Sequence, residues 1–185
     1  MLTEWRVRSI MRAMLPVLVA LTLVELGSGL VLGSFQAKLL TYPTLLALVP
    51  VTIGTAGNLG SILAARLSTA FHLGTLSFAL EDDMLVGNVV ATLAHALTLF
   101  PLVGVGAWLL TGLTVGTTLH VTTVVLVALT SGVALAAFAA VITIVVTYVA
   151  YRFRLDPDDV AIPVVTNLCD VLGVVVLFVV VQFLV

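Results

Sequence analysis

MLVGNVVATLAHALTLFPLVGVGAWLLTGLTVGTTLHVTTVVLVALTSGVALAAFAAVITIVVTYVAY, residues 84–151, contains no Asp, Glu, Lys or Arg. As one helix this stretch would run about 100 Å, against a bilayer core of about 30 Å. It must fold back. The break falls at Thr111–His120, where Gly112 and Gly116 stand among threonines. Residues 84–111 and 119–151 therefore read as two membrane spans. Working outward, three more apolar stretches of spanning length follow: 11–33, 44–69 and 157–185. The first is broken only by Arg12 at its edge and Glu25 inside it. It is too long for a signal-peptide core and is expected to be retained.

Composition agrees with that count. Seven basic and nine acidic residues make only 9% of 185, and 62% of the chain is hydrophobic. A soluble domain carries about 25% charged residues. A chain of this size cannot keep so much apolar surface from water, and it is too hydrophobic to be disordered. A net charge of −2 without a basic run speaks against nucleic acid as a partner. The single cysteine, Cys169, excludes an intrachain disulfide and a cysteine-based zinc cluster. The expected fold is an all-α integral membrane protein with five spans in a lipid bilayer, placed in the plasma membrane.

Basic residues set the orientation. Arg6, Arg8, Arg12, Arg66, Arg152 and Arg154 fall on one side and only Lys38 on the other. The positive-inside tendency puts the N-terminus inside and, after five spans, the C-terminus outside. Trp5, Trp108, Tyr42 and Tyr151 sit near the implied interfaces as anchors. Lys38 lies in an outer loop. Arg66–Asp83 reads as a polar, partly amphipathic inner link.

The informative residues are the polar ones at membrane depth. An acid there costs about 2.5–3.5 kcal/mol on insertion scales, so Glu25 and Asp170 should face protein or water. They fit an ion or proton path, or a structural hydrogen bond between helices. The fifth span opens with Asp156-Pro157-Asp158-Asp159: a capping oxygen, a proline, then two carboxylates. Pro163, Thr166, Asn167 and Asp170 then follow at spacings of three and four, hence on one face. Pro163 should kink or open the helix. The second span carries a matching stripe, Thr52, Thr55, Asn58 and Ser61, flanked by Gly54, Gly57 and Gly60. Pro50 frees the carbonyl of Leu46. Close packing by small residues explains the glycines as well as transport does. The glycine pattern is not a phosphate loop, since it follows no strand and lacks a lysine.

Hard oxygens without clustered sulfur or imidazole suit Mg2+ or another hard divalent cation. Magnesium keeps several waters and needs one or two carboxylates, which two copies of Asp170 would supply. His72, His95 and His120 lie at different depths and read as packing or interfacial groups. Cys169 points about 100° away from Asp170 around the helix and reads as packing. Asn88 and His95 share a face, where interhelical hydrogen bonding is expected. Glu81-Asp82-Asp83 reads as a solvated helix cap, or else as a cation cluster with Asp156, Asp158 and Asp159.

Pro50-Val-Thr-Ile-Gly-Thr-Ala-Gly57-Asn58-Leu-Gly60, followed by Arg66-Leu67-Ser68-Thr69-Ala70, resembles the second membrane helix of the MgtE family of magnesium transporters. The Arg-Leu-Ser-Thr-Ala run is closer to the solute carrier family 41 branch. Asp156-Pro157-Asp158-Asp159 through Pro163, then Thr166-Asn167 and Asp170-Val-Leu-Gly173, resembles the last membrane helix of that family. The resemblance implies one MgtE-type membrane domain over 1–185. It also implies a ten-helix dimer, with a cation pathway lined by the second and fifth spans of both units. On it, Asp170 takes the place of the pore carboxylate, Thr166 and Asn167 the ion-facing positions, and Asn58 the helix-2 asparagine. Asp156 falls near the cytoplasmic mouth, where with Asp158 and Asp159 it could hold a second cation. Glu25 matches an acidic position of the first helix and is a further candidate for a second cation site.

The sequence departs from the bacterial pattern at Ile62, where glutamine is usual, and at Asn167, where a second threonine is common. The cytoplasmic sensor domains of bacterial members are not in this stretch, so gating by them is not expected here. With one five-helix unit, the chain should pair with itself or with a homologous half. The function expected is divalent cation transport, not catalysis. No Gly-x-Ser-x-Gly or His-Glu-x-x-His is present, and an aspartyl site needs two well-placed acids. A sodium- or proton-coupled exchanger and a non-transporting assembly subunit remain the alternatives.

Overall fold

A computed structural model describes residues 7–79, 81–153 and 155–185. Trp5, Arg6 and Arg154 lie outside them. Six helices follow in order: α1 Val7–Ser34, α2 Gln36–Thr41, α3 Pro43–His72, α4 Asp83–Thr114, α5 Val121–Phe153 and α6 Pro157–Leu184. Five of them, all but α2, are long and apolar enough to cross a membrane. They match the five expected spans, with ends one to four residues further out in most cases. The stretch carrying Lys38, expected as an outer loop, forms the short helix α2.

Helices α3 to α6 form a bundle in which α3 and α5 touch across the middle, while α4 and α6 do not touch among the described residues. Its centre is fully buried: Leu45, Leu48, Leu63, Phe100, Leu135 and Val165. Antiparallel α3 and α4 are pinned near both ends. Thr44 and Thr111 share a hydroxyl hydrogen bond of 2.9 Å, and Arg66 Nη1 donates to Asn88 Oδ1 at 3.0 Å. The second bond is the interhelical role expected of Asn88.

Helix α1 stands outside this bundle, packed on α6 and α2 alone among the described residues. Its inward face is Leu21, Glu25, Ser28 and Leu32, at spacings of four, three and four. Leu18, Leu23, Leu26 and Leu30 are exposed, as suits a lipid-facing or partner-facing helix. Phe35, just past α1, stacks on Phe178 of α6 with ring centroids 3.5 Å apart.

The turns follow their local chemistry. Between α4 and α5, Gly116 takes a left-handed φ of +87°, which a side chain would resist. Trp108 Nε1 donates across that turn to the Leu119 carbonyl at 3.1 Å. At the opposite end Phe78 also has a positive φ, 55°, and its ring packs edge-on against Tyr148 at 5.5 Å. Tyr151 joins that cluster and Phe71 meets it at 5.2 Å. This is an aromatic group at a membrane–water boundary.

Asp82 is the N-cap of α4. Its carboxylate accepts from the N–H of Met84 at 2.9 Å and of Leu85 at 3.2 Å, and from the Ser77 N–H and hydroxyl at 2.8 Å each. The Ser77 backbone N–H, then its hydroxyl and the helix amides, hold this carboxyl below the usual carboxylate range. A depressed acid stabilises the fold above its unfolded pKa, near 4, and that contribution is lost as pH falls through the lower folded value. Asp82→Ala should therefore speed amide hydrogen exchange at Met84 and Leu85 at pH 7. Wild type should approach the variant only on acidification below about pH 4. Equal exchange in both proteins at neutral pH would remove the cap from the account.

Candidate functional site

The start of α6 forms as its sequence requires. Asp156 caps it by accepting the Asp158 N–H at 3.0 Å, Pro157 occupies the first helical position, and Asp158 and Asp159 stand exposed in the first turn. His72 Nε2, at the end of α3, lies 4.0 Å from Asp156 Oδ1. Asp82 of the Glu81-Asp82-Asp83 run is engaged in capping α4. Among the described residues no three His, Cys, Asp or Glu side chains gather closely enough to hold a bare metal ion. Asp156, Asp158 and Asp159 therefore form a one-sided acidic rim.

Deeper in the membrane, α3 and α6 touch through small residues. A Cβ on Gly57 would meet the Thr166 Cα at 3.9 Å and the Cys169 Cβ at 4.0 Å. One on Gly173 would press the Ile53 side chain at 2.6 Å. The glycine stripe thus packs α3 against α6. Cys169 is buried in this layer with Ala139 and Val165, as its helix angle implies.

The polar residues open outward from the same seam. Asn58 is exposed, and nothing lies within 4 Å of a Cβ on Gly54. Thr55 and Ser61 are half-buried, while Thr52, counted with them in the sequence stripe, is fully buried and its hydroxyl lacks a partner. On α6, Thr166, Asn167 and Asp170 are half-buried. Thr166 donates its hydroxyl to the carbonyls of Ile162 and Pro163, both at 3.0 Å, and Asn167 Nδ2 donates to the Pro163 carbonyl at 3.0 Å. Those bonds use the Thr166 hydroxyl hydrogen and one of the two Asn167 amide hydrogens, and leave oxygen lone pairs. The free side-chain oxygens on this surface can accept hydrogen bonds from the waters around a cation.

Asp170 has a neighbour that spacing within its own helix could not reveal. Helix α1 packs on α6 and carries Glu25 on its half-buried face, which brings the Glu25 carboxyl near Asp170. Two carboxylates so close repel in a low-dielectric surrounding, and a divalent cation would balance both. The sequence signal was the cost of an acid at membrane depth, which argues that Glu25 faces protein or water. Which helix it faces required the structure. Asn58 has no hydrogen bond to Thr166, Asn167 or Asp170 among the described residues.

The MgtE divalent cation transporter family matches residues 49–180, which take in most of α3, all of α4 and α5 and nearly all of α6. The chain belongs to this family. It is 29% identical to mouse solute carrier family 41 member 3 over 156 residues, covering 81% of this chain and 32% of the relative. Against the rat protein of the same name it is 30% identical over 137 residues, covering 72% and 29%. The chain spans about a third of the length of these relatives. It is a multi-pass membrane protein of a transporter family.

Proposed function

We propose that the chain is one five-helix half, over 1–185, of a divalent cation transporter of the plasma membrane. Two such halves, identical or homologous, enclose a pathway lined by α3 and α6, with magnesium as the main cargo. The observation that carries this reading is the oxygen-bearing seam between α3 and α6, closed by glycine contacts inside and open toward a partner outside.

A hydrated cation enters at the rim of Asp156, Asp158 and Asp159, where the acids concentrate it and can hold a second ion. It is then drawn to Asp170. Thr166, Asn167 and Asn58 accept hydrogen bonds from its waters, so little dehydration is needed, as magnesium requires. Glu25 adds a second carboxylate to the same point. That pair also supports the coupled reading: an ion site with two acids in one protomer suits exchange of a divalent cation against sodium or protons.

The test is reconstitution into liposomes loaded with a magnesium indicator, with and without sodium and proton gradients. Wild type should carry Mg2+, and Asn58→Leu and Glu25→Gln should each slow it severalfold. A paired, correctly inserted wild-type protein that moves no divalent cation under any gradient would sink the proposal in favour of an assembly role.

A further inference from the structure

Arg66 belongs to the Arg66-Leu67-Ser68-Thr69-Ala70 run but takes no part in the seam between α3 and α6. Leu67, Ser68 and Ala70 are buried, whereas Arg66 is exposed. It precedes the end of α3 by six residues, and Asn88 follows the start of α4 by five. Both therefore lie about 8–9 Å inside the helix ends. The Asn88 amide that receives Arg66 Nη1 is neutral and occupies one of five guanidinium N–H donors. Among the described residues no carboxylate lies within 4.0 Å of Arg66. Among the described residues this full positive charge has no group of opposite sign beside it, at about the depth where the helices enter the bilayer core.

This cation borders a groove between α3 and α4. The groove has a volume of about 460 Å³ and is walled by Ile62, Ala65, Leu73 and Met84. Past Arg66 and Asn88 it narrows to a cleft of about 110 Å³ lined by Leu59, Leu63, Ala91, Thr92 and His95. A positive group near the helix ends beside a largely apolar slot complements an anionic head joined to a hydrocarbon chain. A bilayer supplies that molecule at this depth.

We infer that the α3–α4 groove is a binding site for an anionic phospholipid of the leaflet at this end of the bundle. Its phosphate pairs with the free face of the Arg66 guanidinium, and one acyl chain lies in the slot. Asn88 is the positioning residue, turning Arg66 toward the groove. The inference does not rest on the cation pathway, because lipid association is measured with no ion flux.

The protein is reconstituted in phosphatidylcholine vesicles containing either spin-labelled phosphatidylglycerol or spin-labelled phosphatidylcholine, and the motionally restricted fraction is compared. Wild type should prefer phosphatidylglycerol about fivefold, the ratio equivalent to ~1 kcal/mol per basic residue at an anionic surface. Arg66→Gln should bring the ratio near one. Arg152→Gln, another exposed arginine at this membrane face, should keep it. Ala65→Trp retains the charge and fills the slot, so it should lower the ratio too, and it carries the test if Arg66→Gln fails to insert. Equal association of both lipids with wild type overturns the site, as does an undiminished preference in Ala65→Trp and in inserted Arg66→Gln. An Ala65→Cys cross-link between two copies in membranes would put a protein surface in the groove and overturn it as well.

Discussion

Asp170→Ala should reduce divalent cation flux by at least about tenfold, toward that of protein-free liposomes, a loss of ~1.4 kcal/mol or more. It should do so without harming the fold. The side chain is half-buried on α6 near Glu25, and among the described residues no N–H donates to it. Removing one of two adjacent acids relieves repulsion and a desolvation cost. The melting temperature in detergent should stay level or rise while transport collapses. A structural hydrogen bond between helices predicts the reverse: a lower melting temperature with flux falling only in proportion to folded protein. Asp170→Asn sharpens the contrast. It keeps the oxygen and nearly the shape but loses the charge, so it should behave like alanine. Full flux from a folded Asp170→Asn protein would show that the charge is unnecessary and remove Asp170 from its proposed role.

The five spans were legible because long runs without charge have few other solutions. Their ends were less so, since a polar residue near a boundary looks like a stop. Residue 69 was the expected end of the second span, yet α3 continues to His72. Thr69 returns its hydroxyl to the Ala65 carbonyl at 2.9 Å and Arg66 reaches across to Asn88, so neither group forces the backbone out of the helix. Thr111 marked the expected break but bonds to the Ala107 carbonyl and to Thr44, and α4 runs on to Thr114. Spacing could put Thr166, Asn167 and Asp170 on one face, because a helix fixes its own faces. It could not supply contacts between helices far apart in the chain. The meeting of Glu25 with Asp170 depends on α1 choosing α6, and that choice is made by packing such as Phe35 on Phe178.

The largest expected loss of stability lies away from the polar seam, at Gly132. A Cβ there would overlap the ring of Phe100, which is fully buried on α4. One turn further along α4, a Cβ on Gly104 would come within 2.8 Å of the Val125 Cα, so the backbones of α4 and α5 already run close together. The ring has little room to retreat: Ala56, Leu59, Ala96, Leu135 and Ala136 close the same cluster. Gly132→Ala must therefore push the ring off its position or spread the helix pair. Overpacking of this kind costs about 1–3 kcal/mol, and Gly132→Val should cost more than Gly132→Ala. Gly106→Ala is the control on α4. Its Cβ would meet nothing within 4 Å, and removing a helix glycine should leave stability unchanged or raise it by up to about 1 kcal/mol. Thermal unfolding in detergent should order the proteins as Gly132→Val, Gly132→Ala, then wild type and Gly106→Ala together at the top. A Gly132→Val protein as stable as wild type would mean that α4 and α5 do not cross as closely as Phe100 and Gly132 require. Because α5 also packs on α3 and α6, that result would shift the seam carrying Asn58 and Asp170 as well.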